Sequence, residues 1–265
     1  MPESLSSRQW PFPAIARPNV RVVSLDEQAV WLAAGWADLR ASPGVSLAYG
    51  ALFVAAGYAV SLGLLHLGLG SLILPLLGAF LLVGPFAAVG LYEISRGRER
   101  GEAVGLAQAL RAWNRNGPQI AGFGLMLMLA VLAWVQIALL LFMLFFHAGP
   151  PPLEHFLSAL LTAPQAPLFL LLGTVVGGAL AALVFTVSAV SLPLLMDRED
   201  VGVAAAIATS IDAVARNWRV MIGWAAVIAL LIGLGLATFF IGLAVTLPLA
   251  GHASWHAYRG LVSRQ

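Results

Sequence analysis

Neither cysteine nor lysine occurs anywhere in this chain of 265 residues. Without cysteine there is no disulfide, no thiolate metal centre and no cysteine nucleophile, and redox chemistry says nothing of the compartment. Charge is scarce as well. Asp, Glu, Lys and Arg make up 10% of the residues, against about 25% in soluble domains. What fills the space is apolar: 60% of the chain is hydrophobic and its mean hydropathy is +0.91. A soluble protein of this size has too little interior to hide so much apolar surface, so part of the solvent must be lipid. Disorder, collagen, coiled coil and nucleic-acid module are excluded together. The net charge of +2 matters less than where the charges fall.

The first long uncharged run is Val45–Leu69, and no apolar stretch precedes it. A cleavable signal peptide is therefore not expected, and the first span would act as its own insertion signal. Leu72–Tyr92, Ile120–Phe146 and Leu168–Met196 follow as further runs. Val220–Tyr258 is too long for one crossing: about 39 residues make a helix of about 58 Å, against a hydrocarbon core of about 30 Å. A fold-back near Gly233–Gly242 predicts six transmembrane helices, over about 45–69, 72–92, 120–146, 168–196, 220–237 and 239–258. Residues 1–44 form an N-terminal segment with an amphipathic helix, and 259–265 a short tail. The 14 basic residues are all arginine. They fall in the N-terminal segment, the second–third loop (Arg96–Arg115), the fourth–fifth loop (Arg198–Arg219) and the C-terminal end. None falls in the other three loops. Positively charged loops stay cytoplasmic, which predicts a multi-pass protein with both termini inside.

An internal pattern repeats three times. Ser24 and Glu27 stand at capping-box spacing, and Leu25, Ala29, Leu32, Trp36 and Leu39 recur at helical steps. Val203, Ile207, Ile211, Val214 and Trp218 do the same, with Asp212 and Arg216 four residues apart on the wet face. Gly101–Trp113 is a weaker version. Similar junctions follow: Arg40-Ala-Ser-Pro43, Arg115-Asn-Gly-Pro118 and Arg216-Asn-Trp-Arg219. Each returning span carries a proline, Pro85, Pro193 and Pro248, which frees a carbonyl one turn earlier. These prolines are either packing kinks or the lining of a pathway. The expected fold is an all-α membrane protein, three parallel repeats of surface helix plus helical hairpin. The surface helices, with Trp31 and Trp36 near arginines, anchor the spans in the headgroup layer or form a platform for a partner or anionic lipid.

Chemistry is mostly missing. Mid-membrane positions hold no formal charge. Gln136 is the most polar side chain at depth, joined by Thr174, Thr186, Ser188 and Thr246. Glu93 and Asp197 stand at inner helix ends beside Arg96 and Arg198, where interfacial pairing accounts for them. An ion-coupled carrier is expected to keep an ionisable group at mid-depth. His252 and His256, four residues apart, share a helix face and would supply two ligands to a metal or haem. Ala253 stands where a zinc protease needs its glutamate, and His66, His147 and His155 lie towards the opposite surface. No cofactor and no catalytic constellation is expected. Gly173-Thr-Val-Val-Gly177, continued by Ala181, offers a close-packing face, to another helix of the chain or to a second subunit.

The stretches Leu192-Pro-Leu-Leu-Met-Asp-Arg198 and Leu247-Pro-Leu-Ala-Gly-His-Ala-Ser-Trp-His-Ala-Tyr-Arg259 resemble a bacterial family of predicted integral membrane proteins of unknown function, over nearly the whole chain. The resemblance implies a Gram-negative inner membrane and six helices, and it supplies no activity. Mitochondrial carriers are set aside, because they place an acidic residue two positions after proline and here Ala87 and Leu195 stand there. The expectation is a non-enzymatic accessory or scaffold subunit of a larger membrane complex. The alternative is a permeation or lipid-handling protein for a neutral or amphipathic molecule. The expected partners are the bilayer and such a complex, with a homo-oligomer open and no nucleic acid.

Overall fold

The computed structural model describes residues 18–146 and 162–263. Among them the chain is helical throughout, without strands, apart from one antiparallel bridge between Val20 and Val262. The helices are α1 (Glu27–Ala41), α2 (Pro43–His66), α3 (Ile73–Ala87), α4 (Val89–Glu99), α5 (Leu106–Leu110) and α6 (Gly117–Phe146). They continue as α7 (Ala166–Ser188), α8 (Ser191–Asp197), α9 (Val203–Arg216), α10 (Trp218–Ala237) and α11 (Leu243–Leu261). Five stretches are long and apolar enough to cross a membrane: Pro43–His66, Gly70–Glu99, Gly117–Phe146, Ala166–Asp197 and Trp218–Ala237. The sixth expected segment is the helix α11, which does not reach that hydropathy. It lies inside the bundle, packed by α1, α2, α4 and α10.

Two returning stretches are broken close to their prolines, and each break is closed by one hydroxyl. Pro85 has no N–H for the helix ladder, and three residues on, at Ala88, α3 gives way to α4. The Tyr49 hydroxyl of α2 donates to the Ala87 carbonyl at 2.9 Å and accepts from the Gly90 N–H at 3.3 Å. In the next pair α7 ends at Ser188 and α8 begins at Ser191, with Pro193 in its first turn. There the Ser210 hydroxyl of α9 donates to the Thr186 carbonyl at 2.7 Å and accepts from the Val190 N–H at 3.2 Å. In the third, Pro248 sits inside α11, and the carbonyl it leaves unpaired is that of Ala244. Gly50 of α2 lies against it, so closely that a Cβ there would stand 2.5 Å from the Ala244 oxygen. Neighbouring hydroxyls repair the first two breaks, as bilayer burial requires.

The surface helices pack inward through faces that overlap the apolar stripes only in part: Leu39 is buried and Leu32, Val203, Ile207 and Val214 pack against the core. In α1 the buried residues are Trp31, Gly35, Asp38 and Leu39, while Leu25, Ala29 and Trp36 face outward. Trp31 is 2% exposed, edge-to-face with Trp224 at 5.4 Å, whereas Trp36 is 43% exposed. The cause is α11: Gly35 lets its backbone come so near that a Cβ would meet the Ala253 nitrogen at 2.5 Å. The α9 helix likewise buries its small residues, Ala205, Ala206, Thr209, Ser210 and Ala213, and leaves Ile211 exposed, as is Trp218 at the start of α10. A helix between protein and lipid has two apolar-tolerant faces, and small residues win the closer contact. Asp212 and Arg216 do pair at 2.8 Å. Ser24 and Glu27 do not form the expected capping box: α1 starts at Glu27 behind Asp26, with no side-chain cap.

Candidate functional site: a polar knot at one end of the bundle

The N-terminal segment, the loop after α4, the loop after α8 and the C-terminal end of α11 converge on one end of the bundle. Arg21 N–H donates to the Leu261 carbonyl at 2.8 Å, and Ser263 N–H to that of Asn19 at 3.0 Å. The Arg21 side chain reaches the Arg259 carbonyl. The two described ends of the chain are thus stitched together.

Two junction asparagines add the loops. Asn116 donates to the carbonyls of Leu195 (3.3 Å) and Val201 (3.5 Å). Asn217 accepts from the Val23 N–H at 2.9 Å and donates to the Arg21 carbonyl at 3.0 Å. Each therefore holds the segment that leads into a different surface helix.

At the centre stands His252, fully buried. Its Nε2 lies 2.9 Å from the Ser46 hydroxyl of α2 and its Nδ1 2.8 Å from the Ser95 hydroxyl of α4. A hydroxyl donates or accepts, so each ring nitrogen has a hydrogen-bond partner. One turn on, His256 Nε2 contacts Asp38 Oδ2 at 2.7 Å, and Arg98 donates to Asp38 Oδ1 at 2.7 Å. Burial pushes the Asp38 carboxyl up. The hydrogen bonds from His256 and Ser95 and the nearby imidazoles outweigh that and hold it below the usual carboxylate range. Four helices, α1, α2, α4 and α11, meet in this knot.

Beside it the expected inner charges are regrouped. Glu93 and Arg96 form the bidentate pair the sequence suggests, at 2.9 and 3.0 Å, and Arg115 adds a longer contact to Glu93 at 3.7 Å. Arg96 is buried, and its Nη1 has no hydrogen-bond partner. Asp197 pairs across the fold instead of with its neighbour. It accepts from the Tyr258 hydroxyl at 2.7 Å and from Arg259 at 3.0 Å. Arg198 turns away to the Ser263 carbonyl at 2.7 Å. Arg259 also reaches Glu99 at 3.2 Å.

His252 and His256 are brought together with serines and a carboxylate rather than with a third ligand. Among the described residues no group of three or more His, Cys, Asp or Glu side chains is placed to hold a metal ion. His66 is exposed, while His147 and His155 lie outside the described residues. Ser46, Ser95 and Asp38 escaped the sequence reading. Asp38 shares a stripe with Trp31 and Gly35 at steps of four and three, but glycine and aspartate carry no apolar signal.

Away from the knot the bundle loosens into apolar cavities. One of about 490 Å³ lies between α3, α6 and α7, from Ser71 and Leu72 to Ala181. Trp134 of α6 crosses it: its indole N–H donates to the Pro75 carbonyl at 2.8 Å. Its ring lies against Gly78 and Gly177, where a Cβ would meet it at 2.8 Å on either side. The Gly173–Gly177 face is therefore turned to another helix of the same chain. A second cavity, of about 110 Å³, shares Leu81 and Ala181 with the first and runs past Pro85 to Tyr92 and Ser254. Pro85 lines it; Pro193 and Pro248 are buried in packing and do not. Thr174 lines the larger cavity and Ser188 the smaller. Thr186 donates to the Ala182 carbonyl, and the buried Thr246 hydroxyl has no hydrogen-bond partner.

Residues 73–197 match the family described as predicted integral membrane protein, domain of unknown function 2189. This is the family the sequence resembles, over a shorter stretch than expected: Leu192–Asp197 falls inside the match and Leu247–Arg259 outside it. No curated protein and no solved structure matches the chain. With its apolar helices, the match makes the chain a multi-pass integral membrane protein.

Proposed function

We propose that this chain is a six-span protein of the bacterial inner membrane, with both termini cytoplasmic, and that it is a non-enzymatic accessory or scaffold subunit of a larger membrane complex. One observation carries the reading. The histidine, serine, carboxylate and guanidinium groups of the knot are engaged with one another, and none of the knot residues Ser46, Ser95, His252, His256 or Asp38 lines any of the described cavities. Polar groups so engaged fix helix positions; they leave no exposed nucleophile or base facing a space for substrate. The α11 helix, 19 residues long, reaches about 28 Å, close to the hydrocarbon thickness. Enclosed by protein, it needs less hydropathy than its neighbours. Arginine bias supports the orientation. Three features support the parallel repeat: the order of surface helix and hairpin, the hydroxyl-closed breaks, and the paired roles of Asn116 and Asn217.

Affinity purification from native membranes in mild detergent tests the accessory role. A constant set of co-purifying membrane subunits is expected. A chain that is always recovered without other proteins overturns it. A reporter fused after Gln265 is expected to stay inside, and its export would reverse the orientation.

A second reading, handling of a lipid or another apolar molecule, is favoured by the two cavities that meet at Leu81 and Ala181. Their combined size falls in the range of ligand pockets, about 300–1,000 Å³. Mass spectrometry of lipids retained through purification is the check: one species enriched over the bulk membrane supports it, and bulk composition removes it. A metal or haem at His252 and His256 has the least support, since Ser46, Ser95 and Asp38 already engage their nitrogens. Metal analysis and an absorption spectrum of the purified protein are the test.

A further inference from the structure

The third span, α6, carries a feature that lipid alone does not satisfy. It has 30 residues, about 45 Å, so a hydrocarbon core of about 30 Å covers its middle two-thirds. Gln136 lies within that part. Its side chain is exposed and has no hydrogen bond among the described residues. The faces of α6 that meet α3 and α7 carry other residues, Trp134 and Phe142 among them.

Gln136 belongs to a stripe with Leu125, Leu129, Leu132, Leu140 and Met143, at steps of four, three, four, four and three. The five apolar members are 55–64% exposed. A carboxamide held among leucines in hydrocarbon is expensive without a partner, and the side chain is too short to reach the headgroups from this depth. It offers one acceptor and two donors, and is thus complementary to itself. A twofold axis along the membrane normal sets each residue of a copy at the same depth as its equivalent. Two Gln136 side chains then meet and exchange N–H···O=C bonds in both directions, flanked by leucines that pack.

From this we infer that the exposed face of α6 is the interface of a parallel homodimer, centred on a Gln136–Gln136 hydrogen-bonded pair. The inference is independent of the accessory role, because it names a second copy of this chain and no other subunit.

The absence of cysteine makes the test free of background. In native membranes under oxidation, Leu132→Cys and Leu140→Cys, one turn to either side of Gln136, are expected to give a cross-linked dimer. Val175→Cys, exposed on α7, is expected to give none. In native mass spectrometry Gln136→Leu weakens the dimer by roughly threefold to thirtyfold, and Gln136→Asn recovers most of it. Leucine at a lipid-facing position does not threaten folding, so the loss reports association. The inference is overturned if Leu132→Cys and Leu140→Cys remain monomeric, if Val175→Cys cross-links as well as they do, if they cross-link only to another protein, or if Gln136→Leu leaves the dimer unchanged.

Discussion

Two halves of this bundle are built on opposite principles. Around α11, helices approach to backbone contact at Gly35 and Gly50, side chains from α2 and α4 close on the buried His252, and Asp38 of α1 pairs with His256. Around α6 and α7 lie the cavity of about 490 Å³ and a tryptophan wedged between glycines, while a cavity of about 310 Å³ opens between α2, α3 and the turn from α10 to α11. The share of the apolar window buried in the protein is 28% for Gly70–Glu99 and for Trp218–Ala237, but 11% for Gly117–Phe146 and 6% for Ala166–Asp197. In lipid there is no hydrophobic drive between helices, so close packing and hydrogen bonds must hold them. The first half has both. The second has few, and its surface is left to the bilayer or a partner.

Substitutions should expose that difference. The largest effect is expected where backbones touch. Gly50→Leu pushes α2 off α11 and should cost about 3 kcal/mol or more, seen as a collapse of the folded fraction in a detergent melt. Gly173→Leu, with nothing within 4 Å of its Cβ position, should stay within about 0.5 kcal/mol. Equal losses at the two would erase the contrast. Next comes His252→Ala, which leaves a void and removes the imidazole partner of the Ser46 and Ser95 hydroxyls, for about 2–4 kcal/mol. Leu183→Ala, exposed on α7, is the matching control and should barely move the melting temperature.

Asp38→Asn should cost about 1–2 kcal/mol and change the pH profile. The native carboxyl is held below its ordinary value of 3.8. Its contribution is therefore complete above that pH and fades as the pH falls through the depressed value. Melts from pH 7 down to pH 3 should show that loss in the parent and a flatter course in Asp38→Asn. Smallest of all is Arg216→Ala, which removes an exposed i,i+4 pair with Asp212 for about 0.3–0.5 kcal/mol. A larger loss would mean that α9 contributes more than its packing suggests.

The spans were readable because hydropathy is a one-dimensional property: five of the six expected runs are long apolar helical stretches within three residues of their expected limits, except that the second continues to Glu99. The sixth was readable as a helix, although its enclosure was not. Charge placement announced the crowded end and the Glu93–Arg96 pair, but not that Asp197 would pass over Arg198 for Arg259. The Gly173–Gly177 face was visible as a place for close approach, and only the fold chose Trp134 to occupy it. The surface-helix stripes marked the helices but not their closest contacts: those are made at glycine, alanine and serine, which permit proximity without adding to hydropathy.

What sequence alone determined is the solvent of each segment: lipid for the apolar runs, water and headgroups for the arginine-rich loops. That follows from transfer free energies, which act residue by residue. Which polar groups meet was decided only in three dimensions. Ser46, Ser95 and His252 stand far apart along the chain and become partners once α2, α4 and α11 pack. A buried imidazole is then tolerated, because each of its nitrogens has found a hydroxyl.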